Sequence, residues 1–168
     1  DRDFSAFADL RGTRWAFNET LSQSGYGVVR NHLLATGEVD GFFSEVIHSG
    51  SHAASIDLVL TGDADAAAID SHVLGLHCRD RPDLAGRIRV IKVLGPSTIQ
   101  PVVAAIRILP DVRHAIASSL TALHRRAETQ AALRATGVDR FVEMSDAGYA
   151  DIRDMWRAAQ EAGYSEIR

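Results

Sequence analysis

Three short polar segments in this chain combine residue types that can hold an oxyanion: Ser22-Gln23-Ser24 before Gly25, Ser49-Gly50-Ser51-His52, and Asp70-Ser71. Each follows a short apolar run and precedes a stretch with helical spacing. The first turn of a helix leaves backbone N–H groups unpaired and carries roughly half a positive charge, so it attracts anions. Ser22 and Ser24 add hydroxyl donors at such a place, and Gly25 lets the backbone approach a ligand closely. His52, opening its own helix, can donate from its imidazole to an oxyanion in either charge state. Asp70 is an acceptor. It would favour a ligand with a proton on oxygen or an amine, because a carboxylate facing a fully ionised oxygen is repelled. Each residue also has a plain alternative: Ser24 as an ordinary N-cap, His52 as an exposed histidine near a cap, Asp70 as the partner of a helix N-terminus.

Sharper motifs fail on inspection. No Gly-Lys-Ser/Thr follows a glycine spacing, as a P-loop requires. Gly25-Tyr26-Gly27-Val28-Val29-Arg30 places Arg where a dinucleotide fingerprint needs its third glycine. Ser22 and Tyr26 stand where a nucleophile elbow around Ser24 would need glycines. The histidines at 32, 48, 72, 77, 114 and 124 share no metal-ligand spacing with a carboxylate on one helix face, and a lone Cys78 excludes an internal disulfide and a multi-cysteine zinc site. No metal or cofactor is implied. An enzyme using Asp70 and His52 as an acid–base pair is the weaker reading, since no activated nucleophile accompanies them.

The elements that must position these segments read as repeated β-α units. Arg14 to Phe17 is a short buried strand, and Tyr26 to Ala35 a helix with Val29, Leu33 and Leu34 on one face and Gly37 as its stop. Glu45 to His48 is the next strand, followed by a helix capped by Ser51, carrying Ile56, Val59 and Leu60 and closed by Gly62. Ala66 to Ile69 is a small-residue strand, with Ser71 as the expected cap of a helix bearing Val73, Leu74 and Leu76. Arg79 to Arg87 reads as a surface connection, and Ile88 to Val93 as a fourth strand. In alternating β-α chains the strands run parallel, and ligands gather outside their carboxyl ends. The three polar segments therefore belong on one edge.

From Gly95 the texture changes. The stretch GPSTIQP and the apolar run Val102 to Ile106 look like a crossover. Pro110 suits a first helical position, followed by Val112, Ile116, Leu120 and Leu123 at helical spacing. A second helix is expected over Thr129 to Ala135, stopped by Gly137, and a last one from Ser145-Asp146, with an apolar stripe of Ile152, Met155, Trp156 and Ala159.

With 168 residues, 46% of them apolar, the chain can bury a core in one domain or two small lobes. The net charge of −4, with basic residues in no long block, argues against a nucleic-acid surface. No apolar run approaches the roughly 18 residues of a membrane span.

The order LRGTRWAF, SQSGY, FFSEVIHSGSHAAS, GDADAAAIDS, RIRVI, then GVDRFVEMSDAGYADIR, resembles the phosphate/phosphite/phosphonate-type substrate-binding proteins of ABC transporters. The likeness runs from about residue 10 to residue 153. It implies an α/β fold of the type II periplasmic-binding class, two lobes joined by crossover strands. Residues 10–98 would form an α/β ligand-binding lobe, and 99–168 a crossover strand and the C-terminal helical part of the other lobe. It also implies that about the first third of the family's chain, with half of one lobe, precedes Asp1. By resemblance, Ser22, Gln23 and Ser24 match a Ser-Thr-Ser turn that grips phosphonate oxygens, with Gln23 departing from threonine. His52 matches a ligand-contacting histidine, Asp70 and Ser71 fall among polar contacts after the third strand, and Gln100 matches a crossover position that is acidic in aminophosphonate binders. An amide there weakens the case for an ammonium-bearing ligand.

The expected function is thus non-enzymatic binding of a small oxyanion-bearing molecule for an ABC-type permease. A binder of a pyrimidine or thiamine precursor, with Asp70 pairing a ring N–H, is the alternative, as is a sensor passing closure to a partner. The resemblance implies a periplasmic location; the chain opens without a signal-like segment, which leaves a cytoplasmic one open.

Overall fold

A computed structural model describes residues 3–168. The chain divides into two compact units, one formed by residues up to Ser97 together with Ala150–Arg168, the other by Thr98–Tyr149. The first unit is built on a small parallel sheet carrying helices, the α/β arrangement expected from the repeated strand-helix pattern.

Its strands are β1 (Arg14–Phe17), β2 (Glu45–His48) and β3 (Ala66–Ala67), in the order β2-β1-β3 and all parallel. β1 takes the centre because Trp15, Ala16 and Phe17 are apolar on both faces, as a doubly covered parallel strand requires. Trp15 stacks on Phe43 with ring centroids 5.0 Å apart and on Phe17 at 5.4 Å. Together with Phe42, Tyr26, Val29 and Leu33 these rings form the buried core, each large side chain contributing about 1.5–3 kcal/mol of transfer free energy.

Each strand leads into a helix: α1 (Val28–Thr36), α2 (His52–Thr61) and α3 (Ser71–Asp80). The stops expected at Gly37 and Gly62 hold, both residues adopting the left-handed conformation at φ 75° and 80° that closes a helix at little steric cost. Ser51 caps α2, its Oγ accepting from the Ala54 amide at 3.1 Å. The cap of α3 differs from expectation. Asp70 fills it, its Oδ1 accepting from His72 N at 2.9 Å and Val73 N at 3.3 Å, while Ser71 is exposed as the first helical residue. An aspartate here takes the amides two and three residues on, as a serine cap would from its own position, and adds a charge that suits the helix dipole.

The fourth strand expected over Ile88 to Val93 does not form. The segment runs without ladder bonds after the short 3₁₀ turn Pro82–Gly86, with Val90 and Val93 exposed while Ile91 and Leu94 reach the core. Apolar β-branched residues favour extended backbone, but a strand exists only beside a partner that takes its hydrogen bonds.

The last helix, α6 (Ala150–Glu161), follows a 3₁₀ turn at Asp146–Tyr149. It packs against α1 of the first unit, whereas the family resemblance implies a place with residues 99–168. Ala159 is fully buried and Met155 reaches the core, but Trp156, expected in the same stripe, is 56% exposed. A one-residue step turns a helical side chain by about 100°, enough to carry Trp156 off a narrow contact face.

In the second unit, α4 (Pro110–Ala122) starts with proline at its first turn and α5 (Ala127–Ala135) begins two residues before the expected Thr129. Thr98 Oγ1 donates to Gly148 O at 2.8 Å and Tyr149 Oη to Ile99 O at 3.3 Å, joining the two ends of this unit. Leu133 is its one buried residue among those described.

Candidate functional site

The register of the sheet sets Phe17 beside His48 and Ala16 beside Ala67, so the three polar segments leave from the same carboxyl edge. The first of them is a wide helical turn, Gln23–Gly27, that runs directly into α1. Ser22, not Ser24, is its cap: Ser22 Oγ accepts from Gly25 N at 3.0 Å, and Ser22 O accepts from Tyr26 N at 3.1 Å and Gly27 N at 2.8 Å. The amides of Gln23 and Ser24 have no acceptor among the described residues, as expected of the first N–H groups of a helix.

With capping done by Ser22, Ser24 Oγ is released for another contact. It lies 3.2 Å from His52 Nε2, which joins the turn after β1 to the first residue of α2. Gly25 is buried against the same group. A Cβ at residue 25 would collide with Asn18 Oδ1 and crowd His52 Cε1 at 3.0 Å, so glycine is required here by packing. Asn18 was not singled out from the sequence. It stands one residue past β1, and its Oδ1 and the Nδ1 of His52 are both buried without a hydrogen-bond partner. Two orphaned polar atoms in one corner of a site are unusual enough to mark it. An Asn immediately after an apolar strand, before the Ser-x-Ser turn, was the available signal.

The Ser49-Gly50-Ser51 turn is built inward. Ser49 Oγ lies 2.6 Å from Ser55 Oγ and donates to Phe17 O at 2.9 Å, while Gly50 N donates to Asn18 O at 3.0 Å. These bonds fix where His52 stands relative to β1.

Gln23 points elsewhere. Its Nε2 donates to Ser97 Oγ at 3.2 Å and approaches Met155 Sδ at 3.1 Å, while its Oε1 covers Gly27. Asp70 spends Oδ1 on the α3 amides, as described. Gln100, exposed, belongs to the second unit and Ser71 to the surface of the first. The structure thus joins Ser22, Ser24, Gly25 and His52 directly, adds Asn18, and sets Asp70 on the same sheet edge.

A cavity of about 630 Å³ opens at the opposite, amino edge, lined in part by Arg14, Asp65, Arg87 and Arg89. Its charges are committed to structure: Asp65 takes two bonds from the Arg14 guanidinium, at 3.2 and 3.0 Å, and Arg89 pairs with Asp3 at 2.9 Å. Among the described residues no group of three His, Cys, Asp or Glu side chains is placed to hold a metal, and no helix is long and apolar enough to cross a membrane.

The sheet, its parallel β-α units and an anion-suited turn at their carboxyl edge define a protein of the periplasmic-binding class. The sequence model of the family described as "ABC transporter, phosphonate, periplasmic substrate-binding protein" matches residues 1–149, and the chain belongs to that family. The family is a substrate-binding component of transporters. No curated protein matches the chain. Among solved structures, PhnD1 from Prochlorococcus marinus in complex with methylphosphonate is similar with a TM-score of 0.72 at 21% identity, over 96% of this chain and 62% of that one. XAC2383 from Xanthomonas citri, bound to a chloride ion, is similar with a TM-score of 0.65 at 16% identity, over 97% of this chain and 63% of that one. The chain therefore spans somewhat less than two thirds of these structures, and the likeness establishes the shared fold.

Proposed function

We propose that the chain binds a small oxyanion-bearing ligand of the phosphonate, phosphite or phosphate class at the Ser22–Gly25 turn, as part of an ABC-type uptake system. The observation that carries this reading is the pair of unpartnered amides at Gln23 and Ser24 next to the Ser24–His52 contact. The amides and the helix N-terminus supply fixed donors and positive potential for one anionic oxygen. Ser24 Oγ and His52 Nε2 then act together. With the proton on Nε2, the imidazole donates to Ser24 Oγ and the serine hydroxyl is free to rotate and donate to a ligand oxygen. Asn18 Oδ1 and His52 Nδ1 are buried beside this pair without a hydrogen-bond partner, which leaves both with unmet polar capacity at the proposed site.

Asp70 contributes a negative charge on the same edge. This favours a ligand that retains a proton on oxygen over a fully ionised one such as sulfate. Gln100 and closure of a cleft between lobes belong to this reading through family membership, as do a permease partner and a periplasmic location. The PhnD1 structure holds methylphosphonate, which makes that compound the first to try.

A thermal-shift screen of the chain with phosphate, phosphite, methylphosphonate and aminoethylphosphonate tests the proposal, with a pyrimidine and a thiamine precursor as the other arm. A ligand at 100 times its Kd adds about 2.7 kcal/mol of stability. The expected result is a shift with at least one oxyanion that is lost in Ser24→Ala. A shift with a heterocycle alone, or an oxyanion shift that survives Ser24→Ala together with His52→Ala, would sink it.

A further inference from the structure

The turn that presents Ser22 to Gly25 is held from behind by the C-terminal segment, and this segment lies outside the residues matched by the family. The family match ends at residue 149. Residues 150–168 form α6 and a tail, and three separate ties run from them to the turn and the start of α1. Gln23 Nε2 meets Met155 Sδ at 3.1 Å. Tyr26 Oη, in the turn itself, accepts from the Ile167 amide at 2.8 Å, a buried bond between residues 141 positions apart. One turn on, Arg30 Nη1 donates to Ser165 O at 2.9 Å, with its guanidinium 5.8 Å from the Tyr26 ring centroid. The tail is core material: Ala159, Tyr164 and Ile167 are all buried. Burial also raises the Tyr164 hydroxyl above its ordinary pKa, with Tyr26 nearby adding to the effect.

Gln23 makes a fourth tie, through Ser97 Oγ at 3.2 Å, to the last residue before the chain passes into the second unit. The residue that the resemblance makes a ligand contact has its side chain turned away from Ser24 and His52, toward α6 and the linker. Its backbone amide stays with the anion turn and its side chain with the tail.

We infer that the C-terminal segment is a latch for the anion turn, with Tyr26 and Gln23 as positioning residues that link occupancy of the turn to seating of the tail. This rests on the functional reading above. The unpartnered amides of Gln23 and Ser24 can serve an anion only if the wide turn over Gln23–Gly27 keeps its shape. A turn fixed by partners far along the chain is stiff only while those partners are seated. Linkage then runs both ways: whatever the seated tail adds to anion affinity, the bound anion adds to tail seating. A merely structural tail would stabilise the fold without responding to ligand.

The test uses Tyr26→Phe, which removes the acceptor for Ile167 N and keeps the ring, and Ser97→Ala, which removes one partner of Gln23. Neither position is among the proposed ligand contacts. Affinity for methylphosphonate is measured by titration calorimetry, and exchange of the Ile167 amide is followed with and without the same ligand. In the unaltered chain, methylphosphonate is expected to slow Ile167 exchange. Tyr26→Phe is expected to weaken methylphosphonate by about tenfold, the effect of a lost buried hydrogen bond, with Ser97→Ala smaller in the same direction. If the unaltered chain binds methylphosphonate but Ile167 exchange does not respond, or if both variants bind as tightly as it does, the latch is wrong and the functional reading stands. If the unaltered chain binds none of the four oxyanions, the functional reading fails and the latch falls with it.

Discussion

The two units of this chain solve the same problem with different means. The first, residues up to Ser97 with Ala150–Arg168, buries a cluster of aromatic rings under a parallel sheet, from Trp15 and Phe17 to Phe42 and Phe43. The second, Thr98–Tyr149, has α4 and α5 with sound local signals but buries only Leu133, and leaves Val102, Val103, Ile106 and Leu109 between 65% and 89% exposed. Proline at the first turn of α4 and the left-handed Gly137 after α5 shape helices locally, whatever lies on their faces. A core needs apolar faces brought together from distant parts of the chain. The difference shows that helix formation and core formation are separable here.

The largest test of the contrast is truncation in each unit. Trp15→Ala is expected to cost about 3–5 kcal/mol, since a fully buried indole leaves a cavity that a packed sheet cannot close. Ile116→Ala on α4, at 40% exposure, is expected to stay within about 0.5 kcal/mol, as surface changes usually do. Denaturant titration of both reads the difference directly. Comparable losses would mean that the second unit holds a core of its own.

Next in size is Gly25→Ala. The new methyl collides with Asn18 Oδ1 and crowds His52, so a loss of about 1–3 kcal/mol is expected, with anion binding abolished. Gly12→Ala serves as a control for backbone strain alone. Its φ is 73° and nothing lies within 4 Å of the added carbon, so it should destabilise without touching binding. If Gly25→Ala binds methylphosphonate as tightly as the parent, the packed corner does not shape the site.

The smallest effect is a pH dependence confined to the first unit. Burial against Phe7 holds the His32 imidazole below its ordinary pKa of 6.5, with the charge of Lys92 adding to the shift. The unfolded chain then takes up the proton first, so stability declines as pH falls below about 6.5 and the loss is complete once pH passes the lowered folded value. Melting curves between pH 7.5 and 5 should therefore fall more steeply in the parent than in His32→Gln.

Much of the first unit's local order was legible. Gly37, Gly62 and Ser51 stop and cap helices through groups within a few residues of themselves, so short windows suffice to find them. The polar turn after β1 was also legible as a helix start, because Ser and Gly after an apolar run mark one. Which serine caps it was not: Ser22 and Ser24 are chemically alike, and the wide turn that favours Ser22 is held by Tyr26 and the tail, 141 residues away. Likewise Asp70 and Ser71 compete for one cap, and the structure gives it to the charged residue.

By itself, the sequence determined the β-α order, the helix ends and the edge on which polar residues collect, since periodicity, caps and strand direction are properties of neighbouring residues. Only the tertiary structure decided that Ile88 to Val93 finds no strand partner, that Trp156 lies outside the buried stripe, that Asn18 joins the site, and that Gln23 turns toward Met155 and Ser97. Each of those outcomes depends on which distant backbone or side chain arrives to complete a hydrogen bond or cover an apolar face, and no local pattern carries that information.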